Sequence, residues 1–342
     1  MATVLVTGGT GFIGAHAIAQ LLTEGHDVKT TMRSLDRRPD LEGMLATAGA
    51  PRVDRVSYFA ADLRHDDGWA AAAEGAEYVL HVASPFPTTQ PKDEDELIVP
   101  AREGALRVLR AARDAGARRV VMTSSFAAIG YGHGPVGRPL DERDWTNLEN
   151  GRPTPYVKSK TIAERSAWNF IEKEGGGLEL AVVNPVAVLG PVLGPDYSNS
   201  IRLVIALMRG WLPVAPPVWL NVVDVRDVVD LHLKAMTAPG AAGQRYVAVA
   251  GEPISFHQIG VALREALGDA AAKAPRDTAP AWLVRGLARF VPPLQELVPQ
   301  LNVVRRASSA KARRELGWSP RSSTEAAVAS GESLVRLGIV GR

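Results

Sequence analysis

Tyr156-Val157-Lys158-Ser159-Lys160 sets a phenol and an ammonium four residues apart, at the head of a helical run from Thr161 to Ile171. Residues i and i+4 of a helix share a face, so Tyr156 and Lys160 point into one site while Lys158 faces elsewhere. The pairing has a chemical use. A phenol with a pKa near 10 is a poor acid–base catalyst at neutral pH. A neighbouring ammonium favours the phenolate and lowers that pKa. Lys160 can also hold a ribose. Upstream, Met122-Thr123-Ser124-Ser125-Phe126 closes an apolar run from Arg119 to Thr123. Ligands of parallel α/β sheets bind at the carboxyl ends of such strands. A serine hydroxyl there can hold a substrate carbonyl while Tyr156 donates the proton. Ser125 is the first candidate and Ser124 the second, with the other left to a capping or loop hydrogen bond.

A second constellation opens the chain. Thr7-Gly8-Gly9-Thr10-Gly11-Phe12-Ile13-Gly14 follows a β-branched apolar run, Thr3 to Val6, and leads into a helical pattern from Phe12 to Glu24. This is the strand–turn–helix setting of a dinucleotide site. Gly8 permits the tight turn, Gly11 lets backbone approach a pyrophosphate, and Gly14 lets the helix pack on the sheet. The helix N-terminus then faces the phosphates. An NAD site usually places an acid at the end of the second strand. Here Thr30-Thr31-Met32 ends in Arg33, and Arg37 and Arg38 follow. A guanidinium suits a 2′-phosphate, so the pattern favours NADP. Asp36 complicates the reading, since it could reach a hydroxyl or pair with an arginine. Arg38 reads as a solvated charge. Asp62-Leu63 is placed to meet the adenine, although Asp62 serves equally well as a helix cap.

The elements that must position these groups are legible as alternation. Apolar runs at Val28–Met32, Val56–Ala60, Tyr78–Ala83, Arg119–Thr123 and Leu180–Asn184 are separated by helical segments such as Ala101–Ala115. Continuous apolar strands between helices mean a parallel sheet covered on both faces. The expected fold is a Rossmann-type, doubly wound α/β sheet with a smaller, mainly C-terminal lobe. Residues 1–190 would form the NADP-binding core, with 221–250 returning to it through a helix at Val225–Met236 and a strand at Tyr246–Val249. Residues 191–220 and 251–342 would form the substrate-binding lobe. Ser255 and Gln258 read as a capping box ahead of a helix at Phe256. In the proline-rich stretch 271–306, Trp282, Leu283, Leu287, Phe290 and Val291 recur at helical spacing.

Composition narrows the alternatives. The chain has 342 residues, 46% of them hydrophobic, and no cysteine. A disulfide framework, a zinc–cysteine site and a cysteine nucleophile are excluded. With 39 basic and 37 acidic residues, nothing in the net charge favours nucleic acid. No apolar run reaches the roughly 18–20 residues of a membrane span, and no secretory signal is visible, so a cytoplasmic protein is expected. The seven histidines show no metal-ligand spacing and read as structural, His81 as a satisfied core residue. No metal is expected. No Gly-x-Ser-x-Gly elbow is present.

Taken together, TGGTGFIG, the Thr-Ser-Ser strand end and the Tyr-x-x-x-Lys pair resemble the extended short-chain dehydrogenase/reductase family over nearly the whole chain. Asp62-Leu63, His81-Val82-Ala83-Ser84-Pro85, Ser159-Lys160-Thr161 with Ala163-Glu164, Asn184-Pro185, Gly190-Pro191 and Val223–Val228 look like its dihydroflavonol 4-reductase and methylglyoxal-type aldehyde reductase branch, and Glu315–Pro320 resembles an ending of extended members. The resemblance implies NADP(H) held by Gly8, Thr10, Gly11, Phe12, Ile13, Gly14, Arg33, Arg37, Asp62 and Leu63. It also implies cofactor contacts at Val82, Ala83, Ser84, Tyr156, Lys160, Pro185, Val188 and Ser200. It implies reduction of an aldehyde or ketone by Ser125, Tyr156 and Lys160. Glu103 stands where related reductases carry asparagine, which puts a proton relay there in doubt. Arg152-Pro153-Thr154-Pro155 replaces the cinnamoyl-CoA reductase pattern, which disfavours a coenzyme A thioester. A small-molecule carbonyl is the expected partner, with the chain a monomer or homodimer. Phe86, Phe126, Tyr131 and the neighbourhood of Tyr197 are candidate pocket walls. The rival readings are an NAD-retaining nucleotide-sugar epimerase or dehydratase, which Arg33 argues against, and a non-catalytic NADP sensor, which would not need Ser125, Tyr156 and Lys160 together.

Overall fold

In a computed structural model, residues 1–85, 93–134, 136–295 and 297–341 are described. The N-terminal half alternates strand and helix: β1 (Thr3–Thr7), α1 (Phe12–Thr23), β2 (Asp27–Met32), α2 (Arg38–Thr47), β3 (Val56–Ala60), α3 (Trp69–Ala73), β4 (Tyr78–His81), α4 (Asp95–Asp114), β5 (Arg119–Thr123) and α5 (Pro155–Glu174). It continues through β6 (Glu179–Pro185), β7 (Ala187–Leu189), α6 (Asn199–Met208), β8 (Trp219–Leu220), β9 (Val222–Asp224), α7 (Val225–Thr237) and β10 (Arg245–Ala248). The C-terminal part holds β11 (Ile254–Ser255), α8 (Phe256–Leu267), α9 (Ala281–Leu287), α10 (Pro292–Gln295), α11 (Ala310–Leu316) and α12 (Ser323–Arg336).

Seven strands form one parallel sheet in the order β10-β6-β5-β4-β1-β2-β3. Strand side chains alternate between faces, and each face has its own core. Val4, Val6, Leu80, Val121 and Val183 pack with α1, α6 and α7. Leu5, Val79, Val120, Met122 and Val182 pack with α3, α4 and α5. Both faces are therefore dry, which explains why the strands read as unbroken apolar runs. The strand order reverses between β1 and β4, and a crevice opens there at the carboxyl ends. The expected Rossmann-type sheet is the observed one.

Some elements differ from expectation. The catalytic-helix candidate begins at Pro155, not Thr161, because the Thr154 hydroxyl accepts from the Val157 N–H and Pro155 sits in the first turn. That arrangement is a favourable helix start. The helical spacing over Trp282–Val291 is realised only as far as Leu287, and its residues face outward, with Trp282 71% and Phe290 84% exposed. The capping box at Ser255 and Gln258 is present in both directions. No described helix is long and apolar enough to cross a membrane.

Candidate active site

A cavity of about 1000 Å³ runs along the carboxyl edge of the sheet. Every residue expected from the sequence to do the chemistry or contact the cofactor, from Gly8 to Ser200, lines it except Gly14. Gly14 lies behind the wall: a Cβ there would come within 2.3 Å of the Gly8 carbonyl oxygen. Its role is close packing, as its spacing suggested. Gly8 has φ +71°, and a Cβ would meet Ala83 at 3.0 Å. The loop is held from below by threonines. The Gly8 N–H donates to Thr31 Oγ1 (3.2 Å), and the Val82 and Ala83 N–H groups donate to Thr7 Oγ1 (3.1 and 3.0 Å). α1 has Gly11 at its N-cap, with no side-chain cap and no acid in its first turn. Its free N–H groups and positive dipole end thus face the cavity, which suits an anion.

The basic residues after β2 divide. Arg33 is exposed, lines the cavity and pairs with no carboxylate among the described residues. Arg37 is engaged. It donates to Asp40 (3.1 Å), to Thr10 Oγ1 (3.3 Å) and, across the cleft, to Asp196 (2.5 Å). Asp36 does not line the cavity; it closes a local turn with the Ser34 hydroxyl. Asp62 lines the cavity, but its carboxylate accepts from the Arg64 backbone and guanidinium, which lowers its pKa to about 2. Arg38 pairs with Glu42 on the surface of α2, as a solvated charge would.

Ser125, Tyr156 and Lys160 meet on the opposite wall. The Tyr156 hydroxyl lies 3.5 Å from Ser125 Oγ, and Lys160 Nζ donates to Ser84 Oγ at 2.9 Å. The two serines play parts different from those expected of the unchosen one. Ser125 itself caps the short turn Phe126–Ala128, accepting from the Ala127 N–H. Ser124 donates instead to the buried carboxylate of Glu164. The electrostatics also differ from the simple pairing argument. Removal from water raises the Tyr156 pKa, the Ser125 hydrogen bond opposes this, and nearby Tyr131 adds to the rise. Burial lowers Lys160 to about 8, with the Glu164 charge acting in the other direction. The phenol therefore keeps its proton, and the ammonium sits near its titration point. His81, fully buried, is lowered to about 3 by desolvation and by the Lys160 charge. It stays neutral and bonds Thr7 Oγ1 at 2.9 Å, a structural histidine.

Of the candidate walls, Phe126, Tyr131 and Tyr197 line the cavity, and Phe86 lies outside the described residues. Glu103 does not line it and pairs with Arg102 at 2.8 Å. Asp196 was missed from the sequence, as was Arg305 at the far end. Neither belongs to a motif, and Asp196 is 159 residues from the arginine it meets. Among the described residues no group of three or more His, Asp or Glu is placed to hold a metal.

A doubly wound parallel sheet with a glycine turn and an open helix N-terminus at its switch point defines the dinucleotide-binding class of α/β proteins. Residues 4–250 match the NAD dependent epimerase/dehydratase family, and the chain belongs to that family of extended short-chain dehydrogenases/reductases. It is 34% identical over 250 residues to tetraketide alpha-pyrone reductase 2 of Arabidopsis thaliana, covering 71% of this chain and 77% of that one. It is 31% identical to dihydroflavonol 4-reductase of Zea mays, covering 77% and 74%. Its fold is like that of yeast methylglyoxal/isovaleraldehyde reductase Gre2 complexed with NADPH, with a TM-score of 0.79, 24% identity and coverage of 98% and 99%.

Proposed function

We propose that the protein is an NADPH-dependent reductase of an aldehyde or ketone. The observation that carries the reading is the Tyr156–Ser125 contact of 3.5 Å, in one cleft with Lys160, the glycine loop and the unpaired Arg33. Relatives named as reductases support it.

The residues fit the cofactor. Gly8 and Gly11 bring bare backbone to the cavity wall, the α1 N-terminus offers N–H groups to a pyrophosphate, and Arg33 and Arg37 offer guanidiniums to a 2′-phosphate. Thr10, Phe12, Ile13, Leu63, Val82, Ala83, Pro185, Val188 and Ser200 would complete the binding wall, and Ser84 with Lys160 would hold the nicotinamide ribose. When bound, the nicotinamide supplies the hydride for the carbonyl carbon. Ser125 Oγ orients the carbonyl oxygen. Tyr156 then donates its phenolic proton to that oxygen, and Lys160 stabilises the phenolate left behind. Residues 191–220 and 251–342 would form the substrate lobe, closing on the 1–190 core.

The test is loss of NADPH absorbance, with NADH in parallel, against aldehydes, α-dicarbonyls and aryl ketones. Consumption of NADPH in preference to NADH is expected. Equal or faster use of NADH would overturn the phosphate assignment. No consumption, with nucleotide retained through purification, would favour the epimerase reading. Arg33→Ser is expected to raise the KM for NADPH about tenfold to a hundredfold, the worth of a charge-assisted hydrogen bond or two. NADH, lacking the phosphate, should change much less.

A pH dependence follows from Lys160. Its folded pKa of about 8 lies below the ordinary 10.5. Between those values the unfolded chain holds more protons, so this residue's contribution to stability rises with pH across that window. Activity should run the other way. The kcat/KM for the carbonyl should fall above about pH 8 as the ammonium is lost, measured at saturating NADPH with a melting curve at each pH. A flat profile through about pH 9.5 would contradict a titrating lysine.

A further inference from the structure

Tyr131, Trp219, Leu220 and Arg305 line the same cleft as Tyr156. Arg305 is half-buried there, its guanidinium 4.9 Å from the centre of the Tyr131 ring. Both partners hang from pinned backbone. The Arg305 carbonyl accepts from Asn221 Nδ2 at 2.8 Å. On its C-terminal side the chain is stitched to Leu140, whose N–H donates to the Arg306 carbonyl at 2.9 Å and whose carbonyl accepts from the Ser308 N–H at 2.9 Å. The Tyr131 N–H donates to Thr146 Oγ1 at 3.1 Å, and its carbonyl accepts from the Asn147 N–H at 3.0 Å. Tyr131 is in turn close enough to Tyr156 to bear on the charge of that phenol.

Among the described residues Arg305 has no anionic partner. The carboxylates among the described lining residues are Asp62, Glu96 and Asp196. Asp62 is held by Arg64 and Asp196 by Arg37. Among the described residues no carboxylate reaches the Arg305 side chain. A guanidinium stacked on an aromatic ring keeps its edge N–H donors free, and that edge matches a carboxylate with two parallel hydrogen bonds. The half-buried position strengthens such a pair relative to open water.

We infer that Arg305 is the seat for a carboxylate carried by the substrate, so that the preferred carbonyl compound is an anionic aldehyde or ketone. The Tyr131 ring contacts this seat and is also near the Tyr156 phenol. The two groups of the substrate are therefore separated by a spacer such as an aryl ring. This rests on the reductase reading, which supplies the carbonyl end.

The experiment compares 4-formylbenzoate with its methyl ester, nearly equal in shape but differing by one charge. The kcat/KM ratio, acid over ester, is expected to be at least about tenfold in the wild type, the scale of one charged hydrogen bond. It should fall towards unity in Arg305→Gln, remain partly in Arg305→Lys, and shrink as salt screens the pair. In parallel, calorimetry with NADP⁺-loaded protein measures binding of 4-(hydroxymethyl)benzoate and its methyl ester, with the same order expected. A wild-type ratio near unity, or a ratio that Arg305→Gln leaves unaltered, would overturn the inference. If neither aldehyde consumes NADPH, the reductase reading fails for this pair, and the binding ratio alone decides the arginine seat.

Discussion

Tyr156→Phe is expected to lower kcat about 10²–10⁴-fold, the usual worth of a positioned general acid. The change removes one oxygen and keeps the ring, so the packing of α5 survives. The KM for NADPH should stay within about threefold, because the proposed mechanism uses the phenol proton in the transition state and not in holding the ground state. Its pKa, raised by burial, means the proton is resident across the working range. The Ser125 hydroxyl at 3.5 Å points the phenol towards the place a carbonyl oxygen would take. Single-turnover hydride transfer from NADPH should slow as much as kcat does. A variant that keeps more than about a tenth of wild-type turnover, with unchanged melting temperature, would remove Tyr156 from the chemistry.

The parts of this site that are legible in the sequence are those encoded by near neighbours. The glycine turn lies within eight residues and the Tyr156–Lys160 pair within one helical turn, and each strand is a short apolar run because both of its faces are covered. Local signals were also overlooked: Thr154-Pro155 is a helix start, and α4 begins at Asp95, ahead of an interior Pro100. Other features have no local code. The Asp196 carboxylate reaches Arg37 from a loop far along the chain. Arg305 arrives beside Tyr131 from far along the chain, its carbonyl held by Asn221 and the residues after it stitched to Leu140. Glu164 could be quoted as part of a resemblance, but what it holds is visible only when β5, β6, α5 and β10 are assembled. The apolar residues after Ala281 show the converse. Their helical spacing suggests a packed face, yet Trp282 and Phe290 are exposed, since periodicity reports a stripe and not what covers it.

Glu164→Ala is expected to cost about 3–5 kcal/mol of stability, the usual penalty for stranding a buried charge. Glu164 is fully buried, one helical turn beyond Lys160. Its carboxylate accepts from Ser124 Oγ, from Asn184 Nδ2 at 2.7 Å and from Arg245 Nε at 2.6 Å. Arg245 is also buried, stacked 3.8 Å over the Trp145 ring and donating to the carbonyls of Glu142 and Asp144. Remove the carboxylate, and the guanidinium keeps its desolvation cost without its counter-charge. Glu164→Gln keeps the shape but only one of the two acceptor oxygens, and turns an NH2 towards groups that themselves donate, so it should also cost stability, and through the lost charge it should still move the chemistry. Two effects reach the site. Asn184 Nδ2 also donates to the Ser125 carbonyl at 3.2 Å, so loosening Glu164 loosens the serine. The Glu164 charge also favours protonated Lys160, so its loss should shift the alkaline fall of kcat/KM to lower pH. Denaturant unfolding checks the first expectation and the pH profile the second. A double-mutant cycle with Arg245→Met separates the pair, because removing both charges together should cost much less than the sum of the single losses. A purely packing role would give additive losses and leave the alkaline limb where it was.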